Sequence, residues 1–200
     1  MNNNDITSLE HLVRSDRPIQ RSPHDGAVVW FTGLSGAGKS TLAVALEAEL
    51  TKTGYSSYVL DGDILRHGLN RDLGYSAIDR AENVRRVSEV AALFANAGFI
   101  CIAALISPYR CDRANARRAF PKAFHEIYID TSLASCETRD PKGLYALARA
   151  GDLKNFTGID SPYEPPESPD LAIDTYQKSV ADCIETIIGH LFGVNTMANT

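Results

Sequence analysis

Apolar positions along this chain alternate between short, predominantly apolar runs and longer stretches that carry a single apolar stripe. The runs at 28–32, 57–61, 100–106, 126–130 and 170–174 read as strands. The third of them, Ile100-Cys101-Ile102-Ala103-Ala104-Leu105-Ile106, is apolar throughout, as a strand covered on both faces should be. Between the strands the spacing predicts helices over 39–52, closed by Gly54, over 79–97, over 110–119, around 132–150 and over 175–192. In the helix at 79–97, Val84, Val87, Ala91 and Phe94 form one stripe, Asp79 and Glu82 stand at capping-box spacing, and Gly98 follows. Arg80 and Asn83, three apart in its first turn, share a face. Alternating strands and helices imply parallel βαβ units, so the predicted fold class is α/β, a three-layer α/β/α sandwich with a parallel sheet.

The ends of the chain differ from this pattern. Residues 1–25 are polar and contain Pro18 and Pro23, which predicts a flexible N-terminal arm with a short helix near 9–14. A single domain is expected over 26–192, with a C-terminal tail over 193–200. The segment 161–169, with four prolines, reads as a stiff connector. A chain of 200 residues with 44% hydrophobic content is long enough to bury one good core. No apolar run reaches the length of a membrane span, and the N-terminus lacks the basic and apolar regions of a secretory signal. The four cysteines are widely spaced with no C-x-x-C pair, so neither a zinc site nor a disulfide framework is expected, and a reducing cytoplasm is the compartment that fits.

A net charge of −5 argues against a general nucleic-acid binder. Positive charge nevertheless concentrates in the middle, with nine arginines against five acids between Arg66 and Arg118. That asymmetry points to a discrete anionic ligand, with Arg85, Arg117 and Arg118 expected on solvated helix faces.

The first strand runs into Gly33-Leu34-Ser35-Gly36-Ala37-Gly38-Lys39-Ser40-Thr41, a G-x-x-x-x-G-K-S phosphate-binding loop that opens a helix. Backbone N–H groups can converge on an anion only where side chains do not block the approach, which Gly33, Gly36 and Gly38 permit. The helix contributes its unpaired N–H groups and positive dipole end, Lys39 reaches the β and γ phosphates, and Ser40 offers a hydroxyl to Mg²⁺. The loop alone leaves open whether the nucleotide serves as a switch, as a phosphoryl donor, or is only bound.

Two further clusters leave the C-terminal ends of strands, where ligands of open α/β sheets bind. Asp61-Gly62-Asp63 supplies paired carboxylates, one suited to a metal and the other to an acceptor hydroxyl. An Asp-Gly turn with a helix cap is the structural alternative. Ser107, in Ser107-Pro108-Tyr109-Arg110, is either a turn or capping residue or a substrate contact.

Taken together, several blocks resemble the adenylylsulfate kinase (APS kinase) family. They are Asp61-Gly62-Asp63, Arg66, Asp72-Leu73-Gly74-Tyr75-Ser76, Asp79-Arg80, Glu82-Asn83, Arg85-Arg86, Ile106 to Arg110, Arg139 to Tyr145, Phe156-Thr157-Gly158-Ile159-Asp160 and Pro162-Tyr163-Glu164. The resemblance spans about Gly26 to Asp174. It implies a P-loop nucleoside triphosphate hydrolase-like kinase fold. The implied reaction transfers the γ-phosphate of MgATP to the 3′-hydroxyl of adenosine 5′-phosphosulfate (APS), giving 3′-phosphoadenosine 5′-phosphosulfate (PAPS) in sulfate assimilation. By that resemblance Asp63 lies near the acceptor hydroxyl, with Lys39 and Asp61 completing the catalytic set and Ser40 and Asp61 holding Mg²⁺. ATP is bound by Gly33 through Thr41 with Arg139, which either lies against the adenine or forms a surface salt bridge. APS is bound by Asp63, Arg66, Tyr75, Arg80, Asn83, Ile106, Ser107, Lys142 and Phe156, with Tyr75 and Phe156 sandwiching its adenine. Tyr75 stands where the family usually has phenylalanine, and Ile64 where asparagine is frequent. Lys142 and Phe156 fall in a segment that resembles the family's lid, about 142–160. Ser107 matches the family's phosphoserine position, although direct transfer suits a loose phosphoryl-transfer transition state better. A homodimer is implied, and an ATP sulfurylase is the further protein partner to consider. Another small-molecule kinase of this fold, or a nucleotide-dependent switch, would keep the P-loop but has no need of these combined blocks.

Overall fold

The computed structural model describes residues 24–193. The expected arm, its short helix near 9–14 and the tail beyond 193 lie outside the described residues, apart from the arm's last two positions and Gly193.

Five parallel strands form one sheet in the order β2-β3-β1-β4-β5: β1 (Ala27–Thr32), β2 (Ser57–Asp61), β3 (Ile100–Ala104), β4 (Phe124–Ile129) and β5 (Leu171–Ile173). Around it lie α1 (Lys39–Lys52), α2 (Gly62–His67), α3 (Ala77–Asn96), α4 (Arg110–Ala119), α5 (Leu133–Arg139), α6 (Leu144–Ala150) and α7 (Val180–Phe192). This is the expected three-layer sandwich. The central strand shows why its apolar run is unbroken. Val29 and Phe31 pack with Leu42, Leu46 and Leu50 of α1 and Ile184 and Ile187 of α7. Val28 and Trp30 pack on the opposite face with Val84, Val87 and Ala91 of α3 and Ala116 of α4. Both faces are therefore core, and each large apolar side chain fully buried there contributes about 1.5–3 kcal/mol. With β3 on one side and β4 on the other, β1 sits where the strand order reverses, so the loop after Thr32 opens into the crevice at the topological switch point.

Several boundaries differ from the sequence expectations for local reasons. The strand expected over 100–106 ends at Ala104. Leu105 N still donates to Phe31 O at 3.2 Å, but β1 ends one residue later and offers no further ladder. The helix expected from 79 begins at Ala77, with Ser76 as its cap: Ser76 Oγ accepts from Asp79 N (3.2 Å) and donates to Asp79 Oδ2 (2.6 Å). The helix expected from 175 begins at Val180, where Ser179 and Asp182 form a reciprocal capping box. The helical stretch around 132–150 divides into α5 and α6 at Asp140-Pro141-Lys142-Gly143, where proline and a left-handed glycine (φ 66°) interrupt the ladder. Helix α2 has no sequence counterpart, since its six residues are too few to display a period.

Candidate active site

Between β1 and α1 the backbone makes three positive-φ turns, at Gly33 (152°), Gly36 (73°) and Gly38 (107°). At Gly33 a Cβ would also meet Ile129 O at 2.8 Å, so close packing against β4 and the backbone conformation both demand glycine. Lys39 is buried, and its Nζ donates to Gly33 O (3.0 Å) and Leu34 O (2.7 Å). Burial lowers its pKa from 10.5 to about 8, against the raising influence of Cys136, Asp63 and Asp61. Ser40 Oγ donates to Asp61 Oδ2 at 2.6 Å. The other oxygen of Asp61 accepts from Asp63 N (2.9 Å) and Ile64 N (3.3 Å), capping α2. Asp61 thus performs the capping that was its structural alternative while presenting a carboxylate oxygen beside Ser40. A hydroxyl and a carboxylate converging at a phosphate loop are the hard oxygen donors that Mg²⁺ takes alongside phosphates and water, so the residues fit that ion.

Helix α2 and the turn leading into α3 form the opposite wall. Asp63 pairs with Lys142 Nζ, which reaches it from the loop between α5 and α6. Arg66 Nη1 donates to Leu73 O (3.2 Å) and Gly74 O (2.9 Å), and its guanidinium lies 4.3 Å from the Tyr75 ring centroid. Arg80 is buried; Nε donates to Tyr75 O (3.0 Å) and Nη2 to Asn155 O (2.7 Å), joining α3 to the segment that carries Phe156. Burial, and then the charge of Arg66, push the Arg80 pKa below its usual value. The Asn83 amide accepts from Asn70 Nδ2 at 2.9 Å. Phe156 is buried with its ring edge-on to Tyr145, centroids 4.9 Å apart.

Ser107 follows the end of β3 with φ 40°, a strained value for a residue with a Cβ. It does not cap α4, whose first turn begins after Tyr109. Instead Trp30 Nε1 donates to its Oγ (3.1 Å), Arg113 Nη1 donates to its carbonyl (2.7 Å), and Thr32 Oγ1 donates to the carbonyl of Ile106 (2.8 Å). Two donors from β1 and one from α4 thus hold the turn.

These elements enclose one cleft of about 400 Å³, a size suited to small ligands. Ser35, Gly36, Gly38, Lys39, Ser40 and Thr41 line it from the P-loop side. Asp63, Arg66, Tyr75, Arg80, Asn83, Ile106, Ser107, Lys142 and Phe156 line it from the other. Gly33, Leu34, Ala37 and Asp61 stand behind this lining, with Leu34 facing a separate cavity beside Asp130. Arg139 lies outside the cleft and has no ion pair among the described residues, which corrects the salt-bridge alternative. Its guanidinium donates to Thr175 Oγ1 (3.0 Å) and Thr175 O (2.9 Å) and approaches the P-loop carbonyls of Gly36 and Ala37. Lys154 and Asn155 line the cleft although sequence reasoning did not select them; their adjacency to Phe156 was the available signal.

The arginine surplus resolves into two groups. Only Arg66 and Arg80 of the nine line this cleft. Arg86 binds Asp72 and Glu82, Arg113 binds Glu126, and Arg110 binds Glu167. Arg117 departs from the expected solvated face: it donates to Phe124 O (2.9 Å) and Asp170 Oδ2 (2.6 Å), tying α4 to the sheet.

A parallel sheet with a P-loop at its switch point, a buried lysine in that loop and an arginine-lined second wall define a nucleotide-dependent phosphotransferase of the P-loop class. The comparisons agree. Residues 25–174 match the family model described as adenylylsulphate kinase. The adenylyl-sulfate kinase of Clostridium acetobutylicum is 53% identical over 194 residues, covering 96% of this chain and 97% of that protein. The structure of the Mycobacterium tuberculosis APS kinase in complex with AMPPNP and APS superposes with a TM-score of 0.82 at 51% identity, covering 84% of this chain and 99% of that one. A gluconokinase from Sinorhizobium meliloti, at 15% identity, TM-score 0.53 and coverage of 86% and 93%, shares the fold alone. The chain belongs to the adenylylsulphate kinase family.

Proposed function

We propose that this chain transfers the γ-phosphate of MgATP to the 3′-hydroxyl of adenosine 5′-phosphosulfate, giving PAPS and ADP in sulfate activation. The observation that carries this reading is the single cleft shared by the P-loop and by Arg66, Tyr75, Arg80, Asn83 and Phe156. A donor nucleotide on the first wall and a purine-bearing anion on the second would meet near Asp63.

In this reading the P-loop amides and Lys39 bind the phosphates, and Arg139 lies near the ATP adenine. Ser40 and Asp61 would hold Mg²⁺, which neutralises phosphate charge when bound. Asp63 orients the acceptor hydroxyl and takes its proton late, as the oxygen becomes acidic. Its ion pair with Lys142 holds that carboxylate against the segment proposed as the lid over 142–160. Arg66, Arg80 and Asn83 bind APS, Ile106 lines its site, and Tyr75 and Phe156 flank its adenine. Ser107 Oγ accepts from Trp30 Nε1 and, among the described residues, is bonded to no base that would activate it as a nucleophile, which supports direct transfer over a phosphoserine intermediate. Closing the lid would exclude water, which otherwise competes with the ribose hydroxyl.

The same reading includes a single domain over 26–192, a homodimer, a functional link to an ATP sulfurylase and a cytoplasmic location. Among the described residues no helix is long and apolar enough to cross a membrane.

The test is a mass-spectrometric product assay with MgATP and APS, with AMP and gluconate offered in parallel. A product one phosphoryl group heavier than APS, formed only when APS is supplied, is expected. Phosphorylated AMP or gluconate in its place would move the protein to another acceptor, and nucleotide binding without any product would overturn the kinase reading.

A further inference from the structure

Asn70 lies in the turn between α2 and α3 and is fully buried, with its backbone N–H bonded to Leu65 O at 2.9 Å. Its side chain makes one hydrogen bond, from Nδ2 to Asn83 Oδ1 at 2.9 Å, and Asn70 Oδ1 has no partner among the described residues. A buried amide that makes one of the four hydrogen bonds open to it is a poor choice for stability alone. An apolar side chain of the same shape would remove that unpaired carbonyl, at the cost of the donor to Asn83 Oδ1.

The value of Asn70 lies in the direction it imposes on Asn83. Accepting from Asn70 commits Asn83 Oδ1 and leaves Nδ2, a donor, as the end of the amide offered to the cleft that Asn83 lines. Reversing both amides would also give a hydrogen bond, but it would strand both N–H groups of Asn70 in the core in place of one N–H and the carbonyl. Buried orphan N–H groups are rarer than under-satisfied carbonyls, so the observed polarity is the favoured one. That polarity matches the rest of the wall, where the guanidinium groups of Arg66 and Arg80 are also pure donors. An amide free to flip would spend part of its time presenting a carbonyl to an oxygen-rich ligand.

We propose that Asn70 is a positioning residue that fixes the Asn83 amide with its donor toward the acceptor substrate, and that it thereby sets affinity for APS without touching it. The proposal rests on the reading that Asn83 contacts APS.

The experiment compares Asn70→Leu, Asn83→Ala and the double variant in the full chain, reading KM for APS, KM for ATP and thermal stability. Asn70→Leu keeps the shape and removes the unpaired carbonyl, while Asn83 Oδ1 loses its donor but lines a cleft where water can replace it, so the melting temperature should change little. Its KM for APS should rise about tenfold, as coupled neighbours in one hydrogen-bond network do, with KM for ATP unchanged. The double variant should be no worse than Asn83→Ala alone, because Asn70 acts only through that side chain. Should leucine overpack the site and lower stability, Asn70→Ala takes its place with the same expectation for the two KM values. An unchanged KM for APS in the Asn70 variants, while Asn83→Ala raises it, overturns the positioning role and leaves the site reading intact. Parallel loss of APS and ATP affinity, or effects that add in the double variant, would make Asn70 merely structural. No effect of Asn83→Ala on APS overturns the contact itself, and the proposal with it.

Discussion

Lys39 carries an ammonium into a buried loop, and its titration follows from that placement. Its pKa of about 8 in the folded chain lies below the ordinary 10.5, so the charge, full only well below that pH, is lost as pH rises through it. We expect kcat/KM for ATP, which reports the free enzyme, to fall above about pH 8, whereas kcat should hold to higher pH because bound phosphate favours the charged form. A pH–rate profile of the two constants checks this. The stability effect has the opposite sign: between about 8 and 10.5 the unfolded chain binds more protons at this site, so raising the pH stabilises the fold. Asp63→Ala should lower kcat by roughly 10²–10⁴-fold, the range for losing a general base, with little change in ATP affinity. Steady-state kinetics beside nucleotide titration separate the two, and near-normal kcat would remove Asp63 from its catalytic role. The identities of Lys39, Ser40, Asp61 and Asp63 were legible from spacing and strand context. The strain at Ser107 was not, since its three restraining contacts come from Trp30, Thr32 and Arg113, each remote or on another element.

Helix α3 carries Arg80 and Asn83 in its first two turns, so the way it starts aims both. Its cap is Ser76, and Ser76→Ala should cost about 1 kcal/mol of stability, read as a lowered urea midpoint with an unchanged m value. The preceding turn is clamped by Arg86, which donates to Leu69 O (3.2 Å), Asp72 and Glu82. Hydrogen bonds from Arg85 and then Arg86 hold the Glu82 carboxyl down to about 2, but these groups face solvent and salt weakens their contribution. The body of α3 was readable because its apolar stripe runs for several turns. Its start was not, because Ser76/Asp79 and Asp79/Glu82 satisfy the same three-residue capping spacing, and only the backbone decides which serves.

Across the whole molecule, two core layers meet on β1, and the site sits where the strand order turns about it. A ligand that binds only this folded arrangement stabilises all of it. Nucleotide at a hundred times its Kd should add about 2.7 kcal/mol, or roughly 5–11 °C in melting temperature for a domain of this size. Lys39→Ala should abolish turnover and most of that shift, which differential scanning fluorimetry would show. The alternating strands and helices, the phosphate loop and the family blocks follow from residue order alone, because periodicity and loop chemistry are local and a P-loop needs only its neighbours in sequence. Tertiary structure alone decided which arginines face the cleft, which acid captures Lys142, that Arg139 bonds Thr175 rather than a carboxylate, and that buried Asn70 directs Asn83. Each of these depends on which partner reaches a polar group first after the sheet brings distant segments together, and a linear sequence contains no distances.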